Sequence, residues 1–153
     1  MLLYRITKKK HSKDLSGTGA KKVGGRFNSI GKSVVYTASS IALASLEILV
    51  HMDKDLLPEN LMIVELDLPE GLNIEIIKIA DLGKHWNKYP APKYCQNIGD
   101  NWINNSSSVG LQVPSAIIKN DKEFNIILNP SHVDFKEVKT SKTEKFTLDP
   151  RLF

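Results

Sequence analysis

The chain has 153 residues, 41% hydrophobic and 25% charged, the length and balance of one ordinary domain that can bury a core without disulfides or metals. Cys95 is its only cysteine, which excludes an intrachain disulfide and the usual zinc patterns and suits a reducing cytosol. The net charge of +4 and pI of about 9.1 describe either a plain lysine-rich surface or one that meets an anion: a nucleotide, a nucleic acid or an acidic partner. Only Arg5, Arg26 and Arg151 are arginines, and a rare planar guanidinium draws notice because its fork grips phosphate as lysine cannot.

Met1 to Ile6 is apolar but shorter than a signal core, and Lys8, Lys9 and Lys10 follow it instead of preceding it. No apolar run reaches the ~20 residues that span a bilayer. A soluble, cytoplasmic protein is expected, with residues 1–153 as one domain. Leu2 to Thr7 reads as a strand. Lys8 to Gly25 is polar, carries Gly17, Gly19, Gly24 and Gly25, and reads as a long loop. Ser33 to Thr37 is a short strand of β-formers. Ser39 and Ser40 can both cap a helix running from Ile41 to Met52, apolar on nearly every side and therefore expected to be buried. Asp53 to Asn60 ends it, with Pro58 as a stop.

Leu61 to Leu68 alternates as a strand, with Val64, Leu66 and Leu68 on one face and Glu65 and Asp67 on the other. Pro69 and Gly71 turn the chain into a strand over Leu72 to Ile77. Asp81 to Pro92 is irregular. Tyr94, Ile98 and Trp102, four apart, suit a helix from Lys93 to Asn105. Leu111 to Ile118 and Phe124 to Leu128 form a hairpin about Asn120 and Asp121. Val133 to Val138 adds one more strand. The tail from Thr140 is polar, ending on Phe146, Leu148 and Leu152, which can dock. The sum is an α+β domain, a mostly β core around one buried helix.

Several residues stand out against this background. Glu47 lies midway along the most apolar helix, where a carboxylate needs a cation, hydrogen bonds or a ligand; His51, one turn on, is a local partner, and a solvated stripe shared by the two is the plainer alternative. Gly24-Gly25-Arg26-Phe27-Asn28 sets two permissive glycines before a guanidinium, either an anion grip or a simple turn. Tyr36 ends a strand before the capped helix, whose free N–H groups near Ser39 can meet an anion; packing and capping explain the same residues without a ligand. Ser115 sits in an apolar strand and needs a partner if buried. Asn125, Asn129, Pro130 and His132 gather about the next strand and read most simply as a turn. There is no Ser-His-Asp arrangement, no Walker pattern, no GxGxxG and no metal-ligand spacing; His11, His51, His85 and His132 are scattered.

Together these pieces resemble the RES domain, the toxin half of RES–Xre toxin–antitoxin pairs, named for an arginine, a glutamate and a serine: here Arg26, Glu47 and Ser115. The resemblance spans nearly the whole chain, through Tyr4-Arg5-Ile6, Leu15-Ser16-Gly17, Gly25-Arg26-Phe27-Asn28, Val35-Tyr36-Thr37-Ala38-Ser39, Ala42-Leu43-Ala44, Glu47-Ile48-Leu49-Val50-His51, Val113-Pro114-Ser115-Ala116, Asn129-Pro130-Ser131-His132 and Asp149-Pro150-Arg151-Leu152. Phe27 stands where the family commonly has tryptophan, and Lys119 and Asn120 where a proline is common.

The resemblance implies an ADP-ribosyltransferase-like fold and an enzyme that degrades NAD as its substrate, with no separate cofactor and no metal. It implies catalytic roles for Arg26, Tyr36 and Glu47 and substrate binding by Arg5, Ser39, Ser115 and Asn129. The phosphates would meet Arg26, the oxocarbenium charge on the ribose would meet Glu47, and Tyr36 would stack or donate its hydroxyl. Water or phosphate is the acceptor, or a protein in an ADP-ribosyltransferase variant. The implied partner is an Xre-like antitoxin with a helix-turn-helix region, covering the cleft; a homodimer within that complex is compatible with it. A non-catalytic binding module and a nucleic-acid-binding protein are the readings from other classes; aromatics at 7% and dispersed lysines speak against the second. Arg26, Tyr36, Glu47 and Ser115 are expected to line one nucleotide-sized pocket with the Lys8–Gly25 loop at its rim.

Overall fold

The computed structural model describes residues 1–52 and 59–152. Seven strands, β1 (Leu2–Lys8), β2 (Val35–Ala38), β3 (Leu61–Asp67), β4 (Ile74–Ile76), β5 (Gly110–Pro114), β6 (Phe124–Leu128) and β7 (Lys139–Phe146), accompany three helices, α1 (Thr18–Val23), α2 (Ile41–Val50) and α3 (Lys93–Asn105). The strands form one sheet in the order β4-β5-β6-β2-β1-β3-β7, antiparallel except for the β4–β5 pair. The architecture is α+β, as expected. No helix among the described residues is long and apolar enough to cross a membrane.

Alternation along the strands sorts their side chains onto two faces. One face buries Leu3, Val35, Val64, Leu66, Ile126 and Leu128, with Leu15 and Phe135 packed over them. The expected in–out pattern of β3 appears here, with Val64 and Leu66 completely buried. The other face carries two helices. α3 covers the β5–β6 side, burying Cys95 and Trp102 against Leu111, Val113 and Ile127. α2 covers the β1–β2 side through Leu43 and Ala44, packed on Ala38, Tyr4 and Ile6. β1 and β2 are joined at the pair Tyr4↔Ala38, so α2 lies over a narrow seam in the sheet.

Four expectations are corrected. The Lys8–Gly25 segment is not a structureless loop: it holds a 3-10 turn at Lys9–His11 and the helix α1. Its apolar content is too low to show helical periodicity. The stretch Val133–Glu137 is a 3-10 helix, not a strand; His132 Nδ1 accepts from Asp134 N at 3.1 Å and caps it. The polar tail is a strand, β7, paired along β3. It is exposed almost throughout, so no alternation of apolar residues marked it, and its lysines suit a free sheet edge. Finally, α2 is only half covered: Ile41 and Val50 are exposed by 43% and 59%. An apolar sequence on all sides therefore did not mean burial on all sides, because a helix lying on a sheet buries one stripe. Residues 53–58, with the expected helix stop at Pro58, lie outside the described residues, as does Phe153.

Candidate active site

The turn that carries Arg26 is built by packing. Gly25 N donates to Asn28 O at 2.9 Å and closes a tight turn about Arg26 and Phe27. The wholly buried Asn28 then anchors it: its Nδ2 donates to Ala20 O of α1 and to Lys32 O, each at 3.0 Å. The Tyr36 hydroxyl donates to Asn28 Oδ1 at 2.8 Å and accepts from Phe27 N at 3.1 Å. From the other side α3 grips the same turn, with Gln96 Nε2 donating to Gly25 O at 3.1 Å and Asp100 Oδ1 accepting from Ser29 N at 2.9 Å. Gly25 is required by this closeness. A Cβ there would lie 2.5 Å from the Tyr36 hydroxyl, so the glycine makes room for the protein's own tyrosine.

Arg26 is held by one end of its fork. Nη1 donates to the carbonyls of Trp86 and Lys88, the latter at 2.9 Å, while Nε and Nη2 make no hydrogen bond among the described residues. The guanidinium is thus oriented by backbone and keeps donors for an anion.

Glu47 projects from the covered side of α2. Its Oε1 accepts from Asn125 Nδ2 at 2.6 Å and from Ser115 Oγ at 3.2 Å. No donor among the described residues reaches Oε2. His51 is exposed at the end of α2 and is not the partner. Ser115 follows the end of β5 instead of lying within a strand, and its Oγ also accepts from Ile117 N and Ile118 N at 3.1 and 3.2 Å. Completely buried, it supports Glu47 and presents no surface to a ligand.

Tyr36 joins the two halves. Its phenol is pushed well above the ordinary tyrosine range, first by burial, while the charge of Arg26 pulls it down and that of Glu47 pushes it up. Both charges therefore act on one hydroxyl, and Arg26, Tyr36, Glu47 and Ser115 converge on one side of the sheet. A shallow concavity lies beside Ile41, between Tyr4, Ile63, Glu65, Lys142 and Glu144, and includes none of the four.

The other three expected residues sit elsewhere. Arg5 pairs with Val64 and so lies on the opposite face of the sheet from Tyr4 and Ile6, where it donates to Asp14 O at 2.7 Å and braces the loop before α1. Ser39 Oγ accepts from Phe124 N at 3.2 Å and bonds the Glu123 carboxylate, and Ser40 Oγ caps Leu43 N and bonds the same carboxylate at 2.9 Å. At the helix start expected to meet a ligand anion, the Glu123 carboxylate accepts from the two serine hydroxyls. Asn129 lies just beyond the far end of β6 from Asn125 and turns the chain, its Oδ1 accepting from Ser131 N at 3.0 Å. Asn28, Gln96 and Asp100 were missed as parts of the site. Asn125 was seen only as part of a turn, yet it shares the inward face of β6 with Ile127, and a polar residue there is the same kind of anomaly as Glu47.

Tyr36 gives a stability test with a definite sign. In the unfolded chain it ionises near pH 10, whereas burial keeps it protonated in the fold to higher pH. The stability it confers is complete below about pH 10 and is lost as pH rises toward its folded value. Denaturant unfolding between pH 9 and 11.5 is expected to show a steeper loss for the wild type than for Tyr36→Phe, by up to about 1.4 kcal/mol per pH unit. Parallel curves for the two proteins would refute the assignment.

Comparison with known proteins adds to this geometry. The RES domain family matches residues 2–149. A relative named Toxin Res, from Photorhabdus laumondii subsp. laumondii, is 44% identical, with 99% of this chain and 97% of that protein covered. A second, named Prs ADP-ribosylating toxin, from Sphingobium sp., is 39% identical over 91% of this chain and 86% of its own length. Among solved structures, the crystal structure of the M. tuberculosis MbcT–MbcA toxin–antitoxin complex contains a chain of similar fold. Its TM-score is 0.75 at 18% identity, covering 95% of this chain and 84% of that one.

Proposed function

The chain belongs to the RES domain family, and from that premise we propose that it is a toxin of a toxin–antitoxin pair that consumes NAD by breaking the nicotinamide–ribose bond. The observation that carries this reading is the state of Glu47: one carboxylate oxygen fixed by Asn125 and Ser115, the other without a protein donor among the described residues. In the proposed step the C1′–N bond breaks, its electron pair leaves on nicotinamide, and the ribose develops oxocarbenium character. A carboxylate oxygen beside C1′ or the neighbouring hydroxyl stabilises that charge. Water or phosphate then adds to C1′ and releases a proton. Arg26 offers its free donors to the pyrophosphate, and Tyr36 holds the Arg26 turn in register with Glu47.

A second reading differs only in the acceptor. The name of the Sphingobium relative favours a protein side chain as the nucleophile, with the same bond broken. Incubating the purified chain with NAD, with and without phosphate, and measuring free nicotinamide tests the shared step; labelled ADP-ribose appearing on protein separates the two. No nicotinamide above the Glu47→Gln background would end both. The match to a toxin solved within a toxin–antitoxin complex supports an antitoxin partner, and an Xre-like protein covering this side of the sheet is the partner we propose.

Arg26→Lys tests the anion grip. Lysine keeps the charge but loses the fork and cannot bond two carbonyls while also chelating phosphate. KM for NAD is expected to rise by about tenfold or more, roughly 1.4 kcal/mol of binding. Wild-type KM in the lysine variant would remove Arg26 from the phosphate site.

A further inference from the structure

The side chain that holds Glu47 most closely is Asn125, on β6, and its environment is one-sided. Nδ2 donates to Glu47 Oε1 at 2.6 Å, while Oδ1 is buried and has no hydrogen-bond partner among the described residues. The orientation follows from chemistry: a carboxylate only accepts, so the amide must turn its nitrogen to Glu47 and its oxygen away. An amide kept for architecture alone would satisfy both ends, because an unpaired buried carbonyl weakens the fold. Asn125 is flanked on the sheet by Ala38 and Val113, so a small apolar side chain would pack there without that cost.

We infer that Asn125 is a positioning residue for the reaction: its amide fixes the inner oxygen of Glu47 and leaves Oε2 for the ribose. Ser115 makes the second, longer bond to the same oxygen, so both donors hold Oε1 and neither takes Oε2. The kinetic consequence rests on the NAD reading of the site; the effect on Glu47 itself rests on geometry alone. The groups that share its electrostatic surroundings through Tyr36 are Arg26 and Asp100, neither of which touches Asn125.

The test uses Asn125→Ala and the near-isosteric Asn125→Asp in the full chain, with the Glu47 carboxyl followed by carbon NMR and assigned through Glu47→Gln. Removing the donor is expected to shift the Glu47 carboxyl resonance at fixed pH in the alanine variant, since the hydrogen bond to Oε1 is lost. The aspartate variant, which replaces the donor by an acceptor, is expected to shift it as well. In NAD turnover, kcat is expected to fall by at least about tenfold with KM within about twofold. An unchanged Glu47 carboxyl resonance in both variants overturns the inference, as does a raised KM with intact kcat. If the wild type releases no nicotinamide, the NAD reading fails and the carboxyl resonance alone decides the role of Asn125.

Discussion

Glu47→Gln is expected to lower nicotinamide release by about a thousandfold while leaving the fold in place. Glutamine has the same shape and keeps a carbonyl oxygen, which can accept from Asn125 Nδ2 and Ser115 Oγ as Glu47 Oε1 does. What disappears is the negative charge opposite the developing cation. Removing one preorganised electrostatic partner from a reacting centre typically costs ~100- to 1000-fold in kcat, about 3–4 kcal/mol. Here the loss should lie at the upper end, because no other carboxylate bonds this cluster among the described residues except Asp100, which is tied to Ser29 N. Circular dichroism and thermal unfolding of the variant should match the wild type within a few degrees. NAD affinity, measured by calorimetry on the inactive protein, should change little, since the charge matters in the transition state and not in the ground state. Wild-type turnover by a folded Glu47→Gln protein would remove the carboxylate from the chemistry and leave the proposed mechanism without its main term.

The parts of this molecule visible in its sequence are those whose physics is local or strongly patterned. β3 announced itself because Val64 and Leu66 are buried on one face while Glu65 and Asp67 on the other are not. α3 was legible from Tyr94, Ile98 and Trp102, the last buried with its indole N–H donating to Ser108 Oγ at 2.8 Å. Glu47 was an anomaly that any reader of a buried helix would stop at. β7 was invisible for the opposite reason: an edge strand with both faces near solvent needs no apolar code, and its pairing is decided by β3. α1 was invisible because it is short and held by tertiary contacts, such as Asn28 Nδ2 on Ala20 O.

The site was legible as a set of residues but not as an arrangement. Arg26, Tyr36, Glu47 and Ser115 do come to one side of the sheet, and that convergence could not be read from spacing. Arg5 illustrates the limit. A parity of one residue along β1 separates Tyr4 and Ile6, which meet α2, from Arg5, which does not. Ser115 illustrates another. It was expected to bind the substrate, yet it is sealed beneath Glu47 with its hydroxyl fully used. The polar residues that organise the site, Asn28 and Asn125, look in the sequence like ordinary turn and strand asparagines, and only their buried partners reveal them.

Of the glycines, Gly99 has the closest backbone neighbour to an added Cβ. Gly99 sits in the middle of α3, where an alanine in a free helix would be preferred by about 1 kcal/mol. In the folded protein its Cα faces the carbonyl of Phe27, and a Cβ built there would lie 1.7 Å from that oxygen and 2.6 Å from the carbonyl carbon. These are backbone atoms in the turn that carries Arg26 and Asn28, so they cannot rotate aside as a side-chain tip can. Either α3 lifts from the sheet, loosening Cys95 and Trp102 in the core, or the turn retreats and pulls Phe27 N from the Tyr36 hydroxyl. Gly99→Ala is therefore expected to destabilise the protein by about 3 kcal/mol, the upper range for overpacking, and to lower Tm by roughly 10 °C in a chain of this size. Turnover of the folded fraction should fall by about a hundredfold, the consequence of shifting an aligned group by an ångström. Gly19→Ala in α1 is the internal control: nothing lies within 4 Å of its added Cβ, and helix propensity alone should raise stability slightly. If Gly99→Ala behaves like Gly19→Ala, with unchanged Tm and full NAD turnover, then α3 does not press on the Arg26 turn and the site is not assembled in the way described.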